Sequence, residues 1–219
     1  MAEIKNIKKA AERIKKAIKK KERIILYGDA DMDGISSTIV LEEAIKALGG
    51  KIAAIYFPDR EVEGYGLNED ALRFLKKHLP ALLILLDCGI SNIDEMKIAK
   101  KMGFEVIIVD HHKTLQKMPQ ASIIVNPKQK GDKYPFKEFA AAGVVLKLVD
   151  ALLAEKMTPD LRNNFLELVT LATIADMMPQ TDDNSEIVKD GLRSLKHTLR
   201  PALQAFLEID PVIKADVNQ

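Results

Sequence analysis

Ile24-Ile25-Leu26-Tyr27-Gly28-Asp29-Ala30-Asp31-Met32-Asp33-Gly34 is the stretch on which the reading of the fold turns. Its first four residues are an apolar run of strand type, and the run from Ile35 to Leu48 beyond it has the apolar spacing of a helix. Between the two stand three carboxylates, which repel one another strongly unless a cation lies among them. Alternating Asp at a strand end, closed by a flexible Gly34, directs hard oxygen donors at one point. The stretch predicts a divalent-metal site at the top of a strand.

Three other readings compete for it. An EF-hand loop begins in the same way but needs a carboxylate as its last ligand, where this chain has Val40, and needs a helix where Ile24–Tyr27 reads as a strand. A haloacid-dehalogenase-type phosphatase has a motif like Asp31-Met32-Asp33-Gly34, but its nucleophilic Asp directly follows the apolar strand, and here Asp29 intervenes. The third is an acidic turn with no ligand.

Working outward, 219 residues suffice for one large domain or one domain with a helical appendage, and 47% hydrophobic content allows a sizeable core. Lys and Arg number 33 against 32 Asp and Glu, so net charge does not point to a nucleic-acid partner; only local patches could. A single cysteine, Cys88, excludes a disulfide framework and fits a reducing cytoplasm. The N-terminus is Lys-rich with no apolar signal core, and no run is long enough to span a membrane. A soluble cytoplasmic protein with no membrane partner is expected.

Residues 1–22 read as an N-terminal amphipathic helix packed on the core, with Ile4, Ile7, Ala11, Ile14 and Ile18 on one face and Lys8, Lys9, Arg13, Lys15, Lys16, Lys19 and Lys20 on the other. Residues 23–138 alternate strands and helices. Arg23–Tyr27, Lys51–Phe57, Ala81–Leu86, Glu105–Val109 and Ser122–Val125 are the predicted strands. Asn68 is expected to cap one intervening helix and Ser91 another, with Asp94 in a capping box. Residues 139–219 read as purely helical, with Thr158 and Pro159 opening one helix. Continuous apolar strands separated by helices predict an α/β fold: a doubly wound, mainly parallel sheet with helices on both faces, followed by a helical C-terminal segment.

The residues just past the strand ends carry the chemistry. Asp29, Asp31 and Asp33 come after the first strand, Asp87 after the third, and Asp110-His111-His112 after the fourth. In a parallel sheet all carboxyl ends share one edge, and ligands bind in the crevice there. Carboxylates with one or two imidazoles suit Mn²⁺ or Mg²⁺. So many carboxylates suggest two ions with one Asp between them, the arrangement that hydrolyses phosphate esters and anhydrides.

Asp110-His111-His112 resembles the triplet for which the DHH phosphoesterase superfamily is named, and Asp31-x-Asp33-Gly34, Asp87-Cys88-Gly89 and Ala175-Asp176 resemble its other motifs in order. More narrowly, the chain resembles the RecJ group of single-strand-specific 5′→3′ exonucleases over about residues 20–210. That resemblance rests on Gly28-Asp29-x-Asp31-x-Asp33-Gly34, Pro58-x-Arg60, Glu63-Gly64-Tyr65-Gly66-Leu67, Val125-Asn126-Pro127 and Ala141-Ala142-Gly143-Val144. It implies that Asp31, Asp33, Asp87, His111 and Asp176 bind two Mn²⁺ ions, with Asp87 bridging. Many members place a His where this chain has Tyr27, and Asp29 is the candidate for the missing donor. His112 would face the scissile phosphate, Asp110 would orient a His, Arg60 would clamp a phosphate, and Gly143 would admit backbone N–H groups to one. Tyr65 could stack on a base or close its loop over the core. Lys128, Lys130, Lys133 and Lys137 could form a solvated cluster or a strand-binding rim.

The resemblance implies a manganese-dependent phosphodiesterase acting on single-stranded DNA or RNA. Its rivals are a small-substrate DHH phosphatase for nanoRNA, a cyclic dinucleotide or pyrophosphate, and a non-catalytic replisome scaffold. In archaea, RecJ-like proteins associate with the GINS complex, which makes GINS an expected partner to test. RecJ-type enzymes carry a second, DHH-associated domain with a glycine-rich segment ending in His; no such segment is read in this sequence, which is expected to represent the first domain.

Overall fold

The computed structural model describes residues 2–209; the last part of the expected helical segment, 210–219, lies outside the described residues. Five strands, β1 (Arg23–Gly28), β2 (Ile52–Tyr56), β3 (Ala81–Leu86), β4 (Glu105–Val109) and β5 (Ile123–Val125), form one parallel sheet in the order β2-β1-β3-β4-β5. Around it lie α1 (Ile7–Lys20), α2 (Met32–Ala47), α3 (Glu69–Leu75), α4 (Ile93–Met102), α5 (Ala141–Leu153), α6 (Pro159–Ala175), α7 (Asp182–Leu195) and α8 (Pro201–Ile209).

Strand side chains alternate between two faces, and both faces are covered. Ile24, Leu26, Leu82, Ile84, Ile107 and Val109 point into a core shared with α1, α2, α5 and α6. Ile25, Tyr27, Leu83, Leu85, Val106 and Ile108 point the other way, onto Ala71, Leu72 and Leu75 of α3 and Met96 and Ala99 of α4. Burial on both sides explains why β3, Ala-Leu-Leu-Ile-Leu-Leu, has no polar residue: every one of its positions is buried. The N-terminal helix and the late helices α5 and α6 join the sheet in one continuous core.

Because β1 pairs with β2 on one side and β3 on the other, the winding direction reverses between β1 and β3. The loops leaving these two strands at their carboxyl ends diverge and leave a crevice. The acidic stretch after β1 and Asp87 after β3 both open onto it.

Two helix starts form as their sequences predict. The Asn68 side chain accepts the N–H of Ala71 at 2.7 Å, and Thr158 accepts that of Leu161 at 3.2 Å with Pro159 in the first turn. The capping box at Ser91 and Asp94 does not form. The helix begins after Asn92, whose side chain is committed instead to the backbone of Leu67, at 3.1 Å to its N–H and 3.0 Å to its carbonyl, while exposed Asp94 pairs with Lys97. A tertiary contact thus outcompetes the local cap. Arg13 likewise leaves the solvated face of α1: its guanidinium bridges Glu22 and Glu105 at 2.6 Å each. Among the described residues no helix is long and apolar enough to cross a membrane.

Candidate metal centre

The sheet ladder extends one residue beyond each strand that carries an acid. The Asp29 N–H donates to the Leu86 carbonyl (3.2 Å), Asp87 to Val109 (3.0 Å) and Asp110 to Val125 (3.1 Å). Main-chain bonding therefore places the acids before any side chain takes part. Glycine makes the tight turns possible at two points. A Cβ on Gly34 would lie 2.3 Å from the Asp29 carbonyl oxygen, so only glycine lets the first turn of α2 rest on the acidic loop. Gly89, at φ +105, lies two residues past Asp87, itself held at φ 61, and reverses the chain above β3.

His111 lies at the centre of the cluster. Its Nδ1 is 2.7 Å from the Phe139 carbonyl, an acceptor that assigns the proton to Nδ1 and leaves the Nε2 lone pair free. From Nε2 it is 3.4 Å to Asp87 Oδ1, 3.5 Å to Asp176 Oδ2 and 3.7 Å to Asp33 Oδ2. Asp87 Oδ1, His111 Nε2 and Asp176 Oδ2 are all buried and have no hydrogen-bond partner among the described residues. Buried polar atoms without partners cost free energy, and two unpartnered carboxylate oxygens 3.4 and 3.5 Å from one unpartnered imidazole nitrogen fit a cation held at that nitrogen. Adjacent ligands of a six-coordinate cation lie about 3 Å apart for bonds of about 2.1 Å, so small closure of this set suffices. The mixture of carboxylate and imidazole fits Mn²⁺ or Mg²⁺.

The supports of this half are built into the helices. Both Asp33 oxygens accept N–H groups from the start of α5, Ala141 at 2.6 Å and Ala142 at 2.7 Å. Asp176 comes directly after the last residue of α6, the negative end of that helix, where a carboxylate is unfavourable unless a positive charge stands beside it. Three trios have donor atoms within 4.8 Å of one another: Asp33, His111 and Asp176; Asp29, Asp31 and Asp87; and Asp87, His111 and His112. Asp87 belongs to two of them. Asp31 also caps α2, accepting the Gly34 N–H at 2.9 Å.

The electrostatics carry the same message. Burial, then the neighbouring charges of Asp33, Asp110 and Asp31, push the Asp87 carboxyl well above its usual range. Burial raises Asp33 as well, against His111 and the two α5 N–H groups. Asp31 goes down: the Gly34 N–H and Arg60 outweigh its burial. Acids whose folded-state pKa is raised stabilise the fold fully below their unfolded value of about 3.9, and that stability is lost as pH rises toward the raised value. A cation must displace those protons. Mn²⁺ binding is therefore expected to release protons and to tighten from about pH 6 to about pH 8, which calorimetry in two buffers of different ionisation enthalpy measures directly.

Around the donors, Asp110 is fully buried and saturated. It accepts the backbone N–H groups of His111 (2.7 Å), His112 (3.0 Å) and Ile90 (3.1 Å) and the His112 Nδ1 (2.8 Å). Burial alone would raise its pKa, but His112 and these N–H groups prevail and lower it. The same pairing, against burial, lifts His112 to about 9. His112 is further held at its carbonyl by buried Asn126 (3.0 Å). Arg60 reaches Asp29 through Nε (3.0 Å) and Nη2, and Asp31 through Nη2 at 2.7 Å. Tyr65 closes its loop by donating to the Asp87 carbonyl at 3.0 Å, with its hydroxyl 3.2 Å from His112 Nδ1 and its ring still half exposed.

Gly143 departs from expectation. Its N–H donates to the Ala140 carbonyl, and a Cβ there would lie 2.9 Å from the Phe139 ring, so the residue is small for close packing and presents no N–H to a phosphate. The α5 N–H groups that are available go to Asp33. Sequence pattern also missed Phe139, which acts through its carbonyl, a group that every residue type carries. Of the lysines considered as a rim, Lys128 pairs with Glu138 and Lys137 with Asp132. Cys88 is a buried packing residue.

A family model described as "DHH family, N-terminal domain" matches residues 23–173. The single-stranded-DNA-specific exonuclease RecJ of Bacillus subtilis is 43% identical over 207 residues, 94% of this chain, and the chain spans about a quarter (26%) of that relative's length. A crystal structure of exonuclease RecJ bound to manganese superposes with a TM-score of 0.84 at 30% identity, covering 94% of this chain and 52% of the other. RecJ from Thermus thermophilus in complex with Mn²⁺ gives 0.78 at 27% identity, covering 94% and 29%. With the match extending from β1 nearly to the end of α6, this chain belongs to the DHH family.

Proposed function

We propose that this chain is the metal-dependent phosphodiesterase core of a RecJ-like exonuclease. Asp31, Asp33, Asp87, His111 and Asp176 would hold two Mn²⁺ ions, for which Mg²⁺ could substitute, with Asp87 the carboxylate common to two of the three donor trios. The observation that carries this reading is the meeting of three buried, unpartnered donor atoms, Asp87 Oδ1, Asp176 Oδ2 and His111 Nε2, brought together from three separate parts of the chain. When bound, such ions activate water and neutralise charge on a phosphoryl group.

The chain's own groups do the rest. His112, kept protonated by Asp110, offers its Nε2–H to a phosphate oxygen or to the departing oxygen. Asp110, with every N–H contact filled, keeps that ring from turning. The planar fork of Arg60 suits a phosphate. The relatives named above, described as single-stranded-DNA-specific exonucleases, support single-stranded DNA as substrate; cutting from the 5′ end, and RNA as the alternative substrate, rest on the resemblance of the sequence motifs alone.

The test compares Mn²⁺-dependent release of nucleotides from 5′-labelled single strands, duplexes and dinucleotides. Single strands are expected to be cut at least about tenfold faster than duplexes, with EDTA abolishing the reaction. Turnover confined to dinucleotides would favour a small-substrate phosphatase, and no turnover with metal bound would favour a scaffold.

A further inference from the structure

Asn184 joins two segments that meet at the metal centre. It is 0% exposed at the start of α7, and its Nδ2 donates to the Glu138 carbonyl at 2.7 Å and to the Pro179 carbonyl at 2.9 Å. Glu138 directly precedes Phe139, whose carbonyl orients His111. Pro179 lies three residues beyond Asp176, whose Oδ2 stands 3.5 Å from His111 Nε2. One amide thus ties the support of the imidazole to the turn that carries the carboxylate.

That turn needs a tie. Met177 and Asp182 sit in the left-handed region, at φ 52 and φ 47, which costs a non-glycine residue free energy and persists only where its surroundings hold it. The N–H groups of Asp176, Met177 and Met178 bond back into α6, to Ala172, Ile174 and Thr173. Pro179 has no N–H to extend this series, and the chain is held there through its carbonyl, by Asn184. Next to it, Asp183 accepts the Tyr134 hydroxyl at 2.7 Å and Lys147 of α5 at 2.6 Å, which anchors the start of α7 from a second side.

The amide is accounted for by its two donors and not by its volume. Asn184 Oδ1 is buried without a partner among the described residues. An apolar side chain of similar size would fill the space and leave no unpaired acceptor. Reversing the amide would set its oxygen against two carbonyl oxygens, so the contacts themselves fix its orientation.

We propose that Asn184 is a positioning residue for the metal centre: by clamping the Glu138 and Pro179 carbonyls together, it sets Asp176 opposite His111. It acts through the backbone on both sides. The proposal rests on the reading of Asp176 and His111 as cation ligands.

Calorimetric Mn²⁺ titration of the full chain tests this without turnover. Asn184→Ala is expected to weaken Mn²⁺ binding at least about tenfold. Ser194→Ala removes a hydrogen bond to Glu167 toward the other end of the same helix and is expected to stay within about threefold, which separates a general loosening of α7 from loss of the clamp. Asp176→Asn is expected to weaken binding at least about tenfold, and adding Asn184→Ala to it should cost less than the product of the two single losses, because the clamp acts in part through a ligand already removed. The proposal is overturned by an Asn184→Ala affinity within about threefold of the unmodified chain, by an equal loss in Ser194→Ala, or by a full product in the double variant. Should Asn184→Ala fail to fold, Asn184→Ser, which keeps one donor, decides alone: binding weaker by more than about threefold supports the clamp, and unchanged binding overturns it. Undiminished Mn²⁺ binding in Asp176→Asn would sink the ligand reading and this proposal together, whereas loss in Asp176→Asn without loss in Asn184→Ala would sink this proposal only.

Discussion

Asp87→Ala is expected to lower Mn²⁺-dependent nucleotide release from single strands by at least about 10³-fold, or roughly 4 kcal/mol of barrier. The side chain belongs to two of the three donor trios, so its loss opens both halves of the centre at once. No neighbour can substitute. Asp31 is engaged by Gly34 and Arg60, Asp33 by the start of α5, and Asp110 by its own four contacts. The same substitution should raise the melting temperature of the EDTA-treated protein, because it removes a carboxyl held in a buried, like-charged site. Asp87→Asn, which keeps the shape, should reproduce both effects. Release that continues at the original rate would remove the assignment of this cluster as the reactive centre.

Phe139→Ala should cost about 3–5 kcal/mol in urea unfolding, a large share of the roughly 5–15 kcal/mol that holds a domain together. The ring is fully buried, meets Phe136 edge-on at 4.8 Å and lies against Tyr134 at 5.8 Å. Gly143 is without a side chain because the start of α5 rests on that ring. Removing the ring lets this segment shift, and with it move the Phe139 carbonyl that orients His111 and the two N–H groups that hold Asp33. Mn²⁺ affinity should therefore fall together with stability, by about tenfold or more. Phe139→Leu, which fills most of the space, should recover most of both. A loss under about 1 kcal/mol would show that the ring does not support the centre.

Much of this molecule was legible in its sequence because the relevant signals are local. β3 is apolar at every position, as a strand covered on both faces must be, and the strand–helix alternation implied parallel order and one shared carboxyl edge. The acids after β1, β3 and β4 could be placed on that edge from chain order alone, since each strand end continues into the ladder of its neighbour. Asp176 was different. It ends a helix far along the chain, and only its likeness to a family motif singled it out. Helix caps divided in the same way. Asn68 and Thr158 bond to residues three positions on and were predictable, whereas Asn92 is claimed by Leu67 across the loop.

By itself, then, the order of residues determined the wound sheet, its reactive edge and the donor types gathered there, because periodicity and turn chemistry act over a few positions. Tertiary structure alone decided which of those donors remain free. Phe139 selects the His111 tautomer, α5 takes the Asp33 oxygens, and Arg60 claims Asp29. The physical reason is that a hydrogen-bond partner about 30 or 100 positions away leaves no trace in local pattern, and backbone carbonyls and N–H groups are present at every residue whatever its side chain.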